Sequence, residues 1–166
     1  MQLRVALLPE HLPDGWCATQ NTLAIVVDTL RFTTTACQAL HAGAECIQIA
    51  AEIEEVRSLA RQSASRVLLC GERYCRPIEG FDLGNSPYEY TPQRVQGSDL
   101  IFTTTNGTRA VAATRGTTQV WLAALVNRRA VVEELVSSNA EFVWFICAGT
   151  DGQIALEDIL VCLLYT

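Results

Sequence analysis

The sequence predicts an α/β fold three layers deep, with helices on both faces of a mixed, mainly parallel sheet. Three observations point there. Short apolar runs alternate with stretches of helical period along most of the chain, glycines close the helical stretches, and the strand–helix–strand order occurs twice.

In the first half a strand over 22–28 leads into a helix near 33–42 that Gly43 closes. A short strand over 46–50 follows, then a helix over 53–62 with Ile53, Val56, Leu59 and Ala60 on one face. A strand over 67–70 ends this half at Gly71-Glu72-Arg73. The second half repeats the order. A strand over 100–104 enters a helix near 108–114 closed by Gly116, and a strand over 120–123 comes next. A helix starting near Asn127 shows Val131, Val132, Leu135 and Val136 as its apolar face, and a strand over 142–147 runs into Ala148-Gly149. Thr35, Gly43 and Ala50 align with Thr108, Gly116 and Ala123, and Phe-Thr-Thr-Thr occurs at both Phe32 and Phe102. Two duplicated βαβαβ halves account for this, with coincidence in an Ala- and Thr-rich chain as the alternative. Between the halves, 76–87 is dense in turn formers, and a loop of that length in a compact domain usually serves function. The segment 154–166 reads as a helix with Glu157 and Asp158 in its first turns and ends on apolar residues.

At 166 residues the chain is one domain, 1–166, large enough to bury a core. A net charge of −6 argues against a nucleic-acid partner. All 12 basic residues are arginine, which excludes lysine nucleophiles, Schiff bases and Walker-type phosphate binding. No apolar run is long enough to span a membrane, and no basic-then-apolar leader opens the chain, so a cytoplasmic protein is expected. The seven cysteines are scattered, without a close CxxC pair, and read as reduced core hydrophobes.

Ligands of open α/β sheets sit beyond the carboxyl ends of the strands. Asp28, Glu72, Thr104 and Gly149 all fall at that edge. Asp28 follows Ile25-Val26-Val27 and either serves chemistry or caps the next helix. Arg31 offers a planar fork to a phosphate or sulfonate, or pairs with Asp28 at the surface. Thr104, Asn106, Gly107 and Thr108 present hydroxyls and backbone N–H groups at a helix start, with an ordinary Asn-Gly turn as the alternative. At Gly107 a close backbone approach or a positive φ would require glycine. Glu72, Asp82, Glu157 and Asp158 add acids near the same edge, and acids beside an anion site need a divalent cation, for which hard oxygen ligands favour magnesium. Two other patterns fail on inspection. Cys70 and Arg76 have the spacing of a cysteine-phosphatase loop, but that loop cannot hold Glu72 and run into Pro77. Haloacid-dehalogenase phosphatases need a second aspartate two residues after the first, where Leu30 stands.

The segments Val27 to Thr35, Gly71-Glu72-Arg73, Glu79 to Pro87, Thr103 to Thr108, Asn127, Cys147-Ala148-Gly149 and Leu156-Glu157-Asp158 together resemble the 2-phosphosulfolactate phosphatase family. The match departs at Tyr74-Cys75, where the family is smaller and richer in glycine, and at the end, since members continue past the Glu-Asp pair. The chain is therefore expected to lack its C-terminal part. The resemblance implies a magnesium-dependent phosphoric monoester hydrolase that releases 3-sulfolactate and phosphate from 2-phospho-3-sulfolactate, as in coenzyme M biosynthesis. It implies Asp28, Glu72 and Asp82 at the metal, and Asp28, Arg31, Glu157 and Asp158 in catalysis. Thr33, Thr34, Asn85, Thr104, Asn106, Gly107 and Thr108 would hold the phosphate or sulfonate. The apolar last residues point to a homo-oligomer. A non-catalytic small-anion binding module is the rival reading, and release of phosphate from an ester separates the two.

Overall fold

The computed structural model describes residues 1–17, 21–63 and 65–165. Its first half contains β1 (Gln2–Ala6), β2 (Thr22–Val27), α1 (Phe32–His41), β3 (Cys46–Ile49), α2 (Ile53–Gln62), β4 (Val67–Arg73) and β5 (Arg76–Pro77). The short α3 (Pro92–Val95) leads to β6 (Asp99–Thr103), α4 (Gly107–Ala112), β7 (Gln119–Ala123), α5 (Arg128–Ser137), β8 (Phe142–Cys147) and α6 (Leu156–Leu163). Single turns of 3₁₀ helix lie at Pro9–His11, Pro87–Glu89 and Leu125–Asn127.

The α/β class holds, but the strands form two sheets instead of one. Their orders are β1-β8-β2-β7 and β3-β6-β4-β5, and every pairing is parallel except β4 with β5. The halves exchange their first strands. β2 lies between β7 and β8 of the second half, and β6 lies between β3 and β4 of the first. That reciprocal order is what two related βαβαβ units give when each inserts its leading strand into the other's sheet.

Strand alternation decides which face meets which helix. Leu23, Ile25 and Val27 of β2 bury against Val131 and Leu135 of α5 and Val161 and Cys162 of α6. Val26, on the opposite face, meets Ala110 of α4. In the other sheet Leu100 and Phe102 of β6 pack on Phe32, Ala36 and Ala39 of α1, while Ile101 meets Val56 of α2. Helices therefore cover both faces of each sheet, the layered arrangement the periodicity predicts. The α1 and α4 helices touch each other, which brings the two strand-to-helix turns together. Phe102 is central here: its ring lies 5.6 Å from both Phe32 (edge-on) and Tyr90 (stacked).

Several expectations change. The two Phe-Thr-Thr-Thr stretches are not equivalent, since Phe32 opens α1 while Phe102 lies within β6. The true counterparts are Thr33 and Thr108. Each hydroxyl donates to the carbonyl at its strand end, Asp28 at 2.8 Å and Thr104 at 2.7 Å, and accepts the same residue's N–H. The strand over 67–70 continues to Arg73 and turns through Tyr74 and Cys75, both at positive φ, into β5. The last helix is shorter than 154–166 and covers Leu156–Leu163, with Thr166 outside the described residues. It buries Asp158, Val161 and Cys162 while Leu160 and Leu164 stay exposed and Ile159 is half-buried. All seven cysteines are free, as expected, with the Cys147 and Cys162 thiols in contact. Among the described residues no helix is long and apolar enough to cross a membrane.

Truncating Phe102 to alanine empties the contact between α1, β6 and Tyr90. The expected loss is about 3–5 kcal/mol, read as a shift of the urea midpoint with little change in slope.

Candidate active site

The carboxyl ends of β2, β4 and β6 converge on a cleft of about 170 Å³ that gathers Asp28, Arg31, Glu72, Asn85, Thr105 and Asn106. Asp28 sits one residue past β2 and is buried. Its Oδ1 accepts the Phe32 N–H at 3.2 Å, so this carboxylate does cap α1. Its Oδ2 faces the other half of the chain: a Cβ on Gly107 would lie 2.5 Å from that oxygen and 2.5 Å from the Phe32 ring. Gly107 has no positive φ, and it is the close approach alone that requires glycine here.

Glu72 is buried beside the same cleft because Gly71 lets β4 turn toward it. Gly71 has φ +132°, and a Cβ there would run into the Thr103 carbonyl. Glu72 is held by donors on both oxygens, with Oε1 accepting the Thr105 N–H at 2.8 Å and Oε2 the Cys75 N–H at 2.6 Å and the Thr105 hydroxyl at 3.2 Å. Asp158 plays the matching part behind Asp28, since Oδ1 accepts the Thr29 N–H at 2.9 Å and Oδ2 the Gly149 N–H at 3.1 Å. Each carboxylate thus pins the residue after a central strand end.

Burial, then the nearby Asp158 charge and to a smaller degree Glu72, push the Asp28 carboxyl from 3.8 up to about 7, against the Phe32 N–H that favours ionisation. Burial raises Asp158 to about 6 despite its two N–H donors. Arg31 lines the cleft, and no ion pair with Asp28 or any other acid is present among the described residues. Asn85 is buried, and its Oδ1 has no hydrogen-bond partner among the described residues. The cleft therefore holds surplus negative charge, an unsatisfied amide oxygen and a free guanidinium.

Not every residue expected at the site reaches it. Asp82 is exposed, its Oδ2 accepting the Leu69 N–H at 2.8 Å on the flank of β4, and it does not line the cleft. Glu157 is half-buried at the start of α6 and also lies outside the lining. Thr33, Thr104 and Thr108 are buried and spend their hydroxyls on the two strand-to-helix turns. Thr34 donates to the Thr29 carbonyl at 2.8 Å and lines a separate groove beside α1. Asn106 does line the cleft and accepts the Asp151 N–H at 3.0 Å. Sequence reasoning missed Leu30, Tyr74, Cys75, Thr150 and Asp151, which complete the lining. Asp151-Gly152 carries a turn signal, whereas Tyr74-Cys75 takes a two-residue turn conformation without the Asn-Gly that announces one.

Hard oxygens in the cleft suit a divalent cation, and the test is whether they suffice. Among the described residues no group of three or more His, Cys, Asp or Glu could hold a metal alone. Magnesium characteristically takes one or two carboxylates and completes its shell with water and substrate phosphate. Asp28 and the orphaned Asn85 Oδ1, with Glu72 adjacent, fit that demand.

Residues 6–163 match the family model described as 2-phosphosulpholactate phosphatase. Proteins named "Probable 2-phosphosulfolactate phosphatase" are similar to the chain throughout. One from Cyanothece sp. is 42% identical over 95% of this chain and 64% of its own length. One from Synechococcus sp. is 46% identical over 96% of this chain and 66% of its own. A third, from Prochlorococcus marinus, is 41% identical over 96% and 65%. The chain thus spans just under two thirds of the length of these curated relatives.

The raised acids fix a sign for stability against pH. Between about pH 4 and pH 7 the folded chain binds more protons at Asp28 and Asp158 than the unfolded chain does, so stability falls as pH rises through that window. With a chelator present, the melting temperature is expected to be higher at pH 5 than at pH 8. Asp28→Asn should raise stability at pH 8 by roughly 1–3 kcal/mol. A melting temperature that climbs from pH 5 to pH 8 in the parent would contradict this electrostatic account.

Proposed function

The chain belongs to the 2-phosphosulpholactate phosphatase family, and from that premise we propose that it hydrolyses the phosphate monoester of a small anionic hydroxy acid, 2-phospho-3-sulfolactate, with magnesium as cofactor. The observation that carries this reading is the cleft's charge pattern. Asp28, buried and protonated to near-neutral pH by its surroundings, stands with Arg31 and the Asn85 oxygen, both without a partner among the described residues. An acid with so high a pKa marks a place where positive charge is wanted, and a divalent cation with Arg31 supplies it.

Asp28 and Asn85 are the residues that would hold the cation, with the Glu72 carboxylate adjacent. When bound, magnesium neutralises phosphate charge and lowers the pKa of an attacking water. Arg31 grips two phosphoryl oxygens with its planar fork and offsets the charge that develops on them. Glu72 has both oxygens engaged by N–H groups, whereas Asp28 Oδ2 accepts none among the described residues and faces the opposite turn. The proton of the attacking water passes to solvent at the open mouth of the cleft as the bond between phosphorus and the ester oxygen breaks. The departing alkoxide collects its proton from solvent at the open mouth of the cleft. Asp158 stays out of contact and acts by holding the Thr29 and Gly149 N–H groups, which keeps the loop bearing Asp28 in place.

Phosphate release from 2-phospho-3-sulfolactate should require magnesium and stop on chelation. Asp28→Asn should lower kcat by about 10³-fold or more. A second readout needs no substrate: millimolar magnesium should raise the melting temperature of the parent at pH 8 and leave that of Asp28→Asn unchanged. Anion binding by the parent without phosphate release would favour the binding-module reading.

A further inference from the structure

A second cavity of about 400 Å³ adjoins the cleft and shares Tyr74, Thr105 and Asp151 with it. Arg73 and Arg109 also line it. We propose that this cavity receives the sulfonate of the substrate while the phosphate occupies the cleft, with Arg73 as the specificity-determining residue. The proposal rests on the phosphatase reading above.

Size is the first argument. Small-molecule sites usually measure about 300–1,000 Å³, and the cleft alone, at about 170 Å³, lies below that range. Joined to its neighbour, the space enters that range. Charge is the second. Arg73 is half-buried and bonds only neutral oxygens: the Glu72 carbonyl at 3.0 Å, the Ala51 carbonyl at 2.6 Å and Thr103 Oγ1 at 2.7 Å. It makes no ion pair among the described residues. These three bonds lock the guanidinium in place and leave two of its five N–H donors for a ligand. Glu52 and Asp151 line the cavity too, so its formal charges balance. The cleft, with its surplus negative charge, is where a divalent cation and Arg31 would draw the dianionic phosphate, and the balanced cavity is left to the singly charged sulfonate. Arg109 pairs with Glu10 at 3.0 Å on the exposed side and contributes less.

The deciding measurement is the ratio of kcat/KM for 2-phospho-3-sulfolactate to that for 2-phospholactate, which lacks only the sulfonate. Arg73→Gln should lower this ratio by about 10-fold or more and Arg109→Gln by roughly 3-fold. Loss of both activities in parallel under Arg73→Gln, with the ratio intact, would make Arg73 a mere strap between strands and overturn the proposal. Should that variant not fold, Arg109→Gln decides alone, and an unchanged ratio overturns it. If the parent turns over neither ester, the phosphatase reading falls, and calorimetric titration with 3-sulfolactate then judges the subsite. Binding weakened by Arg73→Gln supports it; no binding, or equal binding by parent and variant, overturns it.

Discussion

The site depends on one close contact, that of Gly107 with Asp28 and Phe32. The turn from β2 into α1 and the turn from β6 into α4 approach until a single added carbon would strike both the carboxylate and the aromatic ring. Nothing larger than hydrogen fits, so the first residue of α4 is glycine and the two halves of the chain close on one another there. Burial of Asp28 follows from that closure, and its raised pKa follows from burial. Even the narrowness of the cleft traces to the same approach.

The two turns share a hydrogen-bond plan but not a chemistry. Thr33 and Thr108 brace their strand ends in the same way, and in each turn the side chain at the strand end accepts an N–H four residues on: Asp28 from Phe32, Thr104 from Thr108. Asp158 and Glu72 then pin the following residue, Thr29 or Thr105. At one decisive place the halves differ. Where the first carries a carboxylate, the second carries a hydroxyl, and only the carboxylate brings a negative charge to a cation. The scaffold is built on the repeat, and the site on the place where the repeat breaks.

Local pattern made much of this visible in the sequence. The helix over 53–62 and the strand over 142–147 have the expected bounds because each is a clean periodic run with clear stops. Asp28 stood out because a carboxylate after Ile25-Val26-Val27 is costly without a purpose. The division into two sheets was not legible, since it depends on β2 and β6 pairing across the chain, and periodicity carries no information about partners. The edge strand β1 is exposed along most of its length and leaves little apolar signal. The shared Phe-Thr-Thr-Thr misled because identical letters served a helix start in one half and a strand end in the other. Asp82 misled for a related reason: its place in a turn-rich loop looked functional, while its carboxylate caps a strand-flank N–H.

Charge explains why these acids are gathered at all. Four carboxylates, Asp28, Glu72 and Asp151 in the lining and Asp158 behind it, stand near one cleft whose only cation among the lining residues is Arg31. As a stability device this is poor, because at Asp28 and Asp158 burial and mutual repulsion cost more than their N–H bonds return. The N–H bonds to Glu72 and Asp158 nonetheless keep those two acids in place, so the strain collects on Asp28, whose proton is then held up to about pH 7. A site that is least content when empty gains most when a cation and an anion enter together. Each arriving charge lowers the cost of the other, and the fold carries the unfavourable balance in the interval.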